Sequence, residues 1–282
     1  MPNVLIRNGM LSGEVCTEGG HGWCGLSDLK YNDKRENCFL SPVLTPVFYF
    51  GVPMAEDGFQ EYEPCDSKKT IENISKEGCT LKSHPMPCSQ VTSSITYEMV
   101  EPYYIDVTLN LKTQRSDWPF DVLVATFSTI VRAPIYSGII LEGQDGGKQV
   151  KGGNRWVNFN GMQGKIAHPA RVDSPEIIDP EQRKKIYHYT DSSVRFDRPF
   201  FYGSIEEMVF ACFFPLSARE QIRFTVNPLA GAFGGPAWDV FWIIDSPSIA
   251  TEYEMKFRTV FKPFEGANDI LNEYETYLAN TL

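Results

Sequence analysis

The stretch Tyr103–Lys112 (YYIDVTLNLK) constrains this chain most. Tyr103, Ile105, Val107, Leu109 and Leu111 recur at every second position, with Tyr104, Asp106, Thr108 and Asn110 between them. Period two places the first set on one face of a strand and the second on the other, whereas a helix would scatter both around its surface. One face therefore belongs to a core, and the other to water or a cleft. Asp121–Arg132 (DVLVATFSTIVR) and Ile135–Leu141 continue the strand character. Further strands are expected at Arg155–Phe159, Lys185–Thr190, Glu207–Phe214, Gln221–Asn227, Ala237–Ile244 and Tyr253–Phe261. Gly143–Gly153 reads as a hairpin with Asp145-Gly146-Gly147 at its tip. Asn37–Gly51 is aromatic and β-branched, but Pro42 and Pro46 break it into short or edge pieces.

With 19 Pro and 22 Gly in 282 residues, a helical bundle is excluded. Asp179-Pro180-Glu181 has the form of a short helix start. The one full helix expected is Asn268–Ala279, where Ile270, Leu271, Tyr274 and Leu278 fall at helical spacing. That many strands exceed an immunoglobulin-like sandwich. The expected fold is all-β: a large antiparallel two-sheet β-sandwich, supersandwich or jelly-roll-like, with a C-terminal α-helix. Residues 1–282 read as a single domain, with a Cys- and Pro-rich insertion or small subdomain at about 52–93.

Charge narrows the partners. Twenty-six Lys and Arg stand against 36 Asp and Glu, a net charge of −10, and both halves are acidic. No basic lobe is available to neutralise phosphates, so no nucleic-acid partner is expected. The longest apolar runs are far shorter than the roughly 20 residues of a membrane span, so no membrane partner is expected either. The N-terminus lacks the apolar core of a secretory signal, which favours a cytoplasmic setting; export with the signal already removed is the alternative. Six of seven cysteines (Cys16, Cys24, Cys38, Cys65, Cys79, Cys88) lie in the first third and read as reduced thiols in that compartment. No C-x-x-C pair occurs, so neither a zinc site nor any other cofactor is expected, with loop-bound Ca2+ left open.

Familiar catalytic signatures are missing: nucleophile elbow, phosphate loop, dinucleotide fingerprint and zinc helix. Gly231–Gly235 precedes a strand and reads as a turn. Proton transfer near neutral pH must draw on four histidines, His21, His84, His168 and His188, or on a perturbed group. His84 reads as surface. His168, placed on a loop before Pro169, and His188, on a strand between two tyrosines, are the candidate acid and base. Tyr202 is the alternative proton donor, and Arg223 is a cation for developing negative charge. Candidate substrate-binding residues are His21 and Trp23 in a glycine loop, Arg155, Trp156 and Asn158 on one strand, and Trp238 and Asp239 on another. Indole faces stack on pyranose rings, while amides and guanidinium bond hydroxyls or carboxylates. Asp239, inside an apolar strand, needs a partner or a shifted pKa, and Arg223 is its expected partner from a neighbouring strand. Asp197 beside Arg198 reads as an ion pair.

Several short pieces carry a family resemblance: Tyr97-Glu98, Pro102–Thr108, Arg132-Ala133-Pro134, Phe201-Tyr202-Gly203, Pro236-Ala237-Trp238-Asp239 and Phe261-Lys262-Pro263-Phe264 with the helix after it. From about residue 94 onward the chain resembles bacterial β-sandwich proteins of galactose-mutarotase-like or polysaccharide-lyase-like character. The resemblance implies a curved sandwich whose concave face handles carbohydrate. It also implies histidine and carboxylate as acid and base, or a lyase-type tyrosine or histidine with an arginine. Together these readings favour a carbohydrate-active enzyme using acid–base chemistry on a sugar or uronate glycoside. The partner is then a sugar or oligosaccharide, with a homo-oligomer left open. A non-catalytic sugar-binding or structural subunit and a carboxylate-pair glycoside hydrolase are the competing readings.

Overall fold

The computed structural model describes residues 3–18, 23–32, 38–50, 64, 67–118, 121–132, 134, 138–146, 156–160, 165–170, 190–228 and 234–281. A small antiparallel sheet is formed by β1 (Val4–Asn8), β2 (Leu11–Cys16) and β3 (Gly25–Tyr31). The large sheet runs β4 (Thr45–Phe50), β9 (Val122–Ile130), β16 (Ala237–Asp245), β15 (Ile222–Asn227), β12 (Lys165–Pro169) and β13 (Thr190–Ile205). It continues through β14 (Met208–Phe213), β17 (Glu252–Pro263), β8 (Tyr104–Thr113), β7 (Val91–Val100), β6 (Gly78–Ser83) and β5 (Lys69–Glu72). Two more strands lie off this path: β10 (Ile139–Asp145) pairs with β13, and β11 (Trp156–Phe159) pairs with β10. Among the described residues, every strand pairing is antiparallel except β12 with β13.

The large sheet folds over on itself. Phe210 of β14 stacks on Trp238 of β16 with 6.5 Å between ring centroids, although β15, β12 and β13 lie between them in strand order. Neighbouring strands sit about 4.8 Å apart, so a flat sheet would hold those rings far from each other. The inward residues of β9, β15 and β16 thus share one core with those of β7, β8, β14 and β17. Gly203 is needed at this contact, because a Cβ there would lie 2.1 Å from the Trp238 ring.

β13 serves both layers. Its pairing with β10 jumps from Leu141↔Phe201 to Gly143↔Phe196, and the extra residues invert which parity faces inward. Val194 and Phe196 point to the core, as does Phe201, whereas Phe200 and Tyr202 point to the outer face. That outer face is covered by the C-terminal helix α1 (Ala267–Thr281), whose Ile270, Tyr274, Tyr277 and Leu278 pack on Phe200, Tyr202, Val209, Phe213 and Val260.

Charged groups fix the helix as well. Glu273 accepts from Tyr103 Oη at 2.5 Å, Tyr104 Oη at 2.6 Å and Lys262 Nζ at 3.0 Å. Lys262 also donates to Asp269 at 2.9 Å. Arg258 grips Asp106 through two hydrogen bonds of 2.6 and 2.7 Å and lies over the Tyr104 ring.

The all-β reading with one long helix holds, and β8 shows the expected alternation along its whole length. Two details differ. His168 is part of β12 and not of a loop, because proline is tolerated at a strand end. Arg198 pairs with Glu142 and Glu275, not Asp197. From the Cys- and Pro-rich stretch, β5 and β6 extend the edge of the large sheet. Residues 185–189 of the expected strand Lys185–Thr190, the helix start at 179–181 and residues 147–153 of the expected hairpin lie outside the described residues, while Thr190 opens β13.

Candidate functional site

Strands β9, β16, β15 and β12 lie side by side, and their register defines two rows of side chains on the face turned away from the core. The first row is Ser128, Asp239, Thr225 and Ile166, each directly opposite the next. The second begins with Thr126, Phe241 and Arg223, and continuing the β12–β15 register brings His168 against Arg223. The residues between these, Phe127, Val240, Phe224 and Ala167, belong to the core. Strand alternation thus separates a polar face from an apolar one within four neighbouring strands.

The polar side chains of this face are deeply placed. Asp239 is 5% exposed, Arg223 7% and His168 5%, and Thr126 and Thr225 are fully buried. Asp239 Oδ1 accepts a 2.5 Å hydrogen bond from Ser128 Oγ. Burial pushes the Asp239 carboxyl up to about 7, and the Ser128 bond only partly opposes this. Arg223 Nη1 donates to the backbone carbonyls of Glu220 and Ile222 at 2.8 and 2.7 Å. The expected Asp239–Arg223 pairing is therefore corrected: register sets Thr225 and Ser128 beside the carboxylate, and Phe241 opposite the arginine. On the neighbouring strand, His168 Nε2 and Asp191 Oδ1 lie 2.8 Å apart. Asp191 stands opposite Ile166, and Arg195 opposite His168, so both extend the same face onto β13.

Of the residues singled out from the sequence, His168, Arg223 and Asp239 are brought together. Tyr202 and Trp156 are not. They pack against each other, ring centroids 5.6 Å apart, on the helix-covered side, where burial pushes the Tyr202 phenol up to about 12. Trp238 fills the core, on the opposite side of β16 from Asp239. Trp23 is buried just ahead of β3, and Asn158 is exposed on β11 opposite Ile140. His21, Arg155 and His188 lie outside the described residues. Sequence reasoning missed Thr126, Ser128, Asp191, Thr225 and Phe241. A hint was present in β9, where Thr126 and Ser128 share one parity within a run whose one other polar residue is Thr129.

A groove of about 280 Å³ lies elsewhere, lined by Glu72, Thr80, Lys82, Ser94, Asn110 and Lys112 among others. The residues named here sit on β5 to β8, on the ordinary wet face of an antiparallel sheet. Among the described residues, no group of three or more His, Cys, Asp or Glu could hold a metal ion. No helix among them is long and apolar enough to cross a membrane.

The described residues thus form a folded-over, mostly antiparallel sheet closed on one outer face by a C-terminal helix. Two solved structures share it along most of this chain. One is a candidate aldose 1-epimerase from Escherichia coli K12, with TM-score 0.51, 9% identity, and coverage of 93% of this chain and 99% of that one. The other is a galactose mutarotase-like protein from Lactobacillus casei, with TM-score 0.50, 10% identity, and coverage of 93% and 100%. At such identities the likeness is one of fold. No protein-family model matches the chain, and no curated protein matches it.

Proposed function

We propose that the protein is a carbohydrate-active isomerase that interconverts the anomers of an aldose by acid–base chemistry on the polar face of β9, β16, β15 and β12. The observation that carries this reading is the presence of His168 and Asp239 on one face, the second with its carboxyl near 7. Ring opening needs a base to take the proton of the anomeric hydroxyl and an acid to protonate the ring oxygen. Reclosure on the other face of the carbonyl reverses both transfers. A carboxyl near 7 is populated in both protonation states at neutral pH, which suits either task. His168 is the second proton-transfer group, oriented through Nε2 by Asp191. Arg223 supplies fixed positive charge on the same face. The two proteins of like fold, named for aldose epimerisation and for galactose mutarotase, support the substrate class.

Polarimetry on freshly dissolved α-D-glucose and α-D-galactose tests the reading. The protein is expected to accelerate the first-order approach to anomeric equilibrium. His168→Ala and Asp239→Asn should each slow it by about a hundredfold or more. Absence of acceleration over a panel of aldoses and uronic acids overturns the isomerase. Sugar binding without turnover in that panel replaces it with a binding module.

A further inference from the structure

The groove over β5 to β8 is wet like any outer sheet face, but its charges are not arranged like those around it. Two cross-strand rows form its floor. Register sets Lys82 of β6 opposite Ser94 of β7, and Ser94 opposite Asn110 of β8. Thr92, Lys112 and Glu252, on β7, β8 and β17, form the second row. Opposite charges facing each other across strands ordinarily pair. They do so nearby: Glu254 and Lys256 meet at 2.9 Å, Arg258 grips Asp106 at 2.6 Å, and Glu72 lies 3.8 Å from Lys82. Glu252 and Lys112 face each other in register, yet among the described residues neither side chain makes a hydrogen bond or an ion pair. The half-buried side chains of Ser94 and Asn110 are equally unengaged. Four polar side chains therefore turn unused bonding capacity on one groove of about 280 Å³. That volume is near the lower end of the roughly 300–1,000 Å³ of small-molecule sites.

We propose that this groove is a second saccharide site, separate from the polar face of β9, β16, β15 and β12, and that it binds a neutral sugar of one or two rings. Its chemistry selects that class. Lys82 and Lys112 are balanced by Glu72 and Glu252, so the lining carries no formal net charge, in a chain whose net charge is −10. An anion meets no excess of positive charge there. Lys112 offers donors only and Glu252 acceptors only, while Ser94 and Asn110 offer both. Adjacent sugar hydroxyls, each donor and acceptor at once, match such a mixed set, whereas a carboxylate or phosphate uses only its donors. Ser94, Asn110, Lys112 and Glu252 span three neighbouring strands and two rows, about 10 by 7 Å from the ordinary spacings of a sheet. No aromatic side chain is among the described lining residues, so stacking adds nothing and the affinity is expected to be weak. Such a site holds saccharide whether or not the polar face turns it over.

The test is a titration of the isotopically labelled full chain with maltose, lactose, D-glucuronate and inorganic phosphate, followed by backbone amide chemical shifts. A neutral disaccharide is expected to shift the amides of residues 92–94 and 110–112 saturably, with a Kd on the order of millimolar. Asn110→Ala and Lys112→Ala should each weaken that binding by about fivefold or more. Both positions lie on a wet strand face, so both variants should melt within about 2 °C of wild type, and if one unfolds the other still decides. Asp239→Asn should bind at the groove as wild type does, and the two groove variants should keep wild-type mutarotation. No saturable shift at these amides with either disaccharide, unchanged affinity in both variants, or a preference for D-glucuronate or phosphate overturns the site and leaves the isomerase standing. Loss of mutarotation in folded Asn110→Ala or Lys112→Ala also overturns it, since the groove is then the active site and not a second one. Wild type that binds here but accelerates no mutarotation removes the isomerase and keeps the groove.

Discussion

Two regions of this molecule hold buried charge, and they treat it in opposite ways. Under helix α1, each buried charge is met by several partners. Burial opposes the charge of Glu273, but the hydrogen bonds from Tyr103, Tyr104 and Lys262 outweigh it and hold the carboxyl below its ordinary value. Burial likewise opposes the charge of Lys262, yet Asp269, Glu273 and Tyr103 keep its ammonium more firmly protonated than usual. On the polar face of β9, β16, β15 and β12, Asp239 is buried with one hydrogen bond from a neutral serine, and its carboxyl rises to about 7. The first region stabilises ionised groups and so fastens a helix. The second leaves a carboxyl poised between its two states, which costs stability and suits proton transfer. Perturbation alone does not mark a site.

The contrast can be broken from the helix side first, where the largest effect is expected. Glu273→Ala leaves Lys262, whose side chain is 5% exposed, short of one carboxylate. Removing one partner of a buried pair costs about 3–5 kcal/mol. A fall in melting temperature of roughly 10 °C is expected by calorimetry, with mutarotation by the folded fraction unchanged. Because the folded Glu273 carboxyl sits below its unfolded value, its stabilisation is present above that unfolded value and is lost as pH falls through the folded one. The acid limb of the wild-type stability curve should therefore flatten in Glu273→Ala.

His168→Ala should do the reverse. Turnover falls by about a hundredfold, while the melting temperature shifts by no more than a few degrees. Its unfolding would make the histidine a structural residue. Tyr202→Phe sharpens the comparison with the smallest effect: full turnover and a melting change within about 2 °C, since its ring serves the packing beneath α1. A large loss of turnover in Tyr202→Phe would move the site to the helix side.

Sheet architecture was legible in the sequence wherever one face of a strand is wet. β8 alternates because its outer face is polar, and α1 follows from the spacing of Ile270, Tyr274 and Leu278. The site strands gave no such signal. β9, β15 and nearly all of β16 are buried on both faces, so hydrophobic period no longer reports which side a residue takes. Asp239 was recognisable as a charge inside an apolar run. Its neighbours were not, because they depend on register between strands more than a hundred residues apart, such as Ser128 with Asp239. Tyr202 and Trp156 carry chemistry suited to a sugar site, yet the irregular pairing within β13 sends Tyr202 to the helix. No local pattern encodes that inversion. His168 was chosen for its chemistry, while its orienting partner Asp191 emerged only from the β12–β13 pairing.

Thermal unfolding of wild type and Asp239→Asn between pH 5 and 9 tests the central claim, that Asp239 is kept poised for proton transfer at the expense of stability. The folded carboxyl near 7 retains a proton that the unfolded one, near 3.8, releases. Wild-type stability from this group should therefore fall as pH rises toward 7 and then level off. Asparagine does not titrate, so Asp239→Asn should melt above wild type by a margin that grows with pH. Above pH 7 that margin approaches something on the order of 4 kcal/mol. The same variant should lose mutarotation by about a hundredfold. Asp239→Asn melting below wild type at pH 8, or a margin that does not change with pH, would contradict the account.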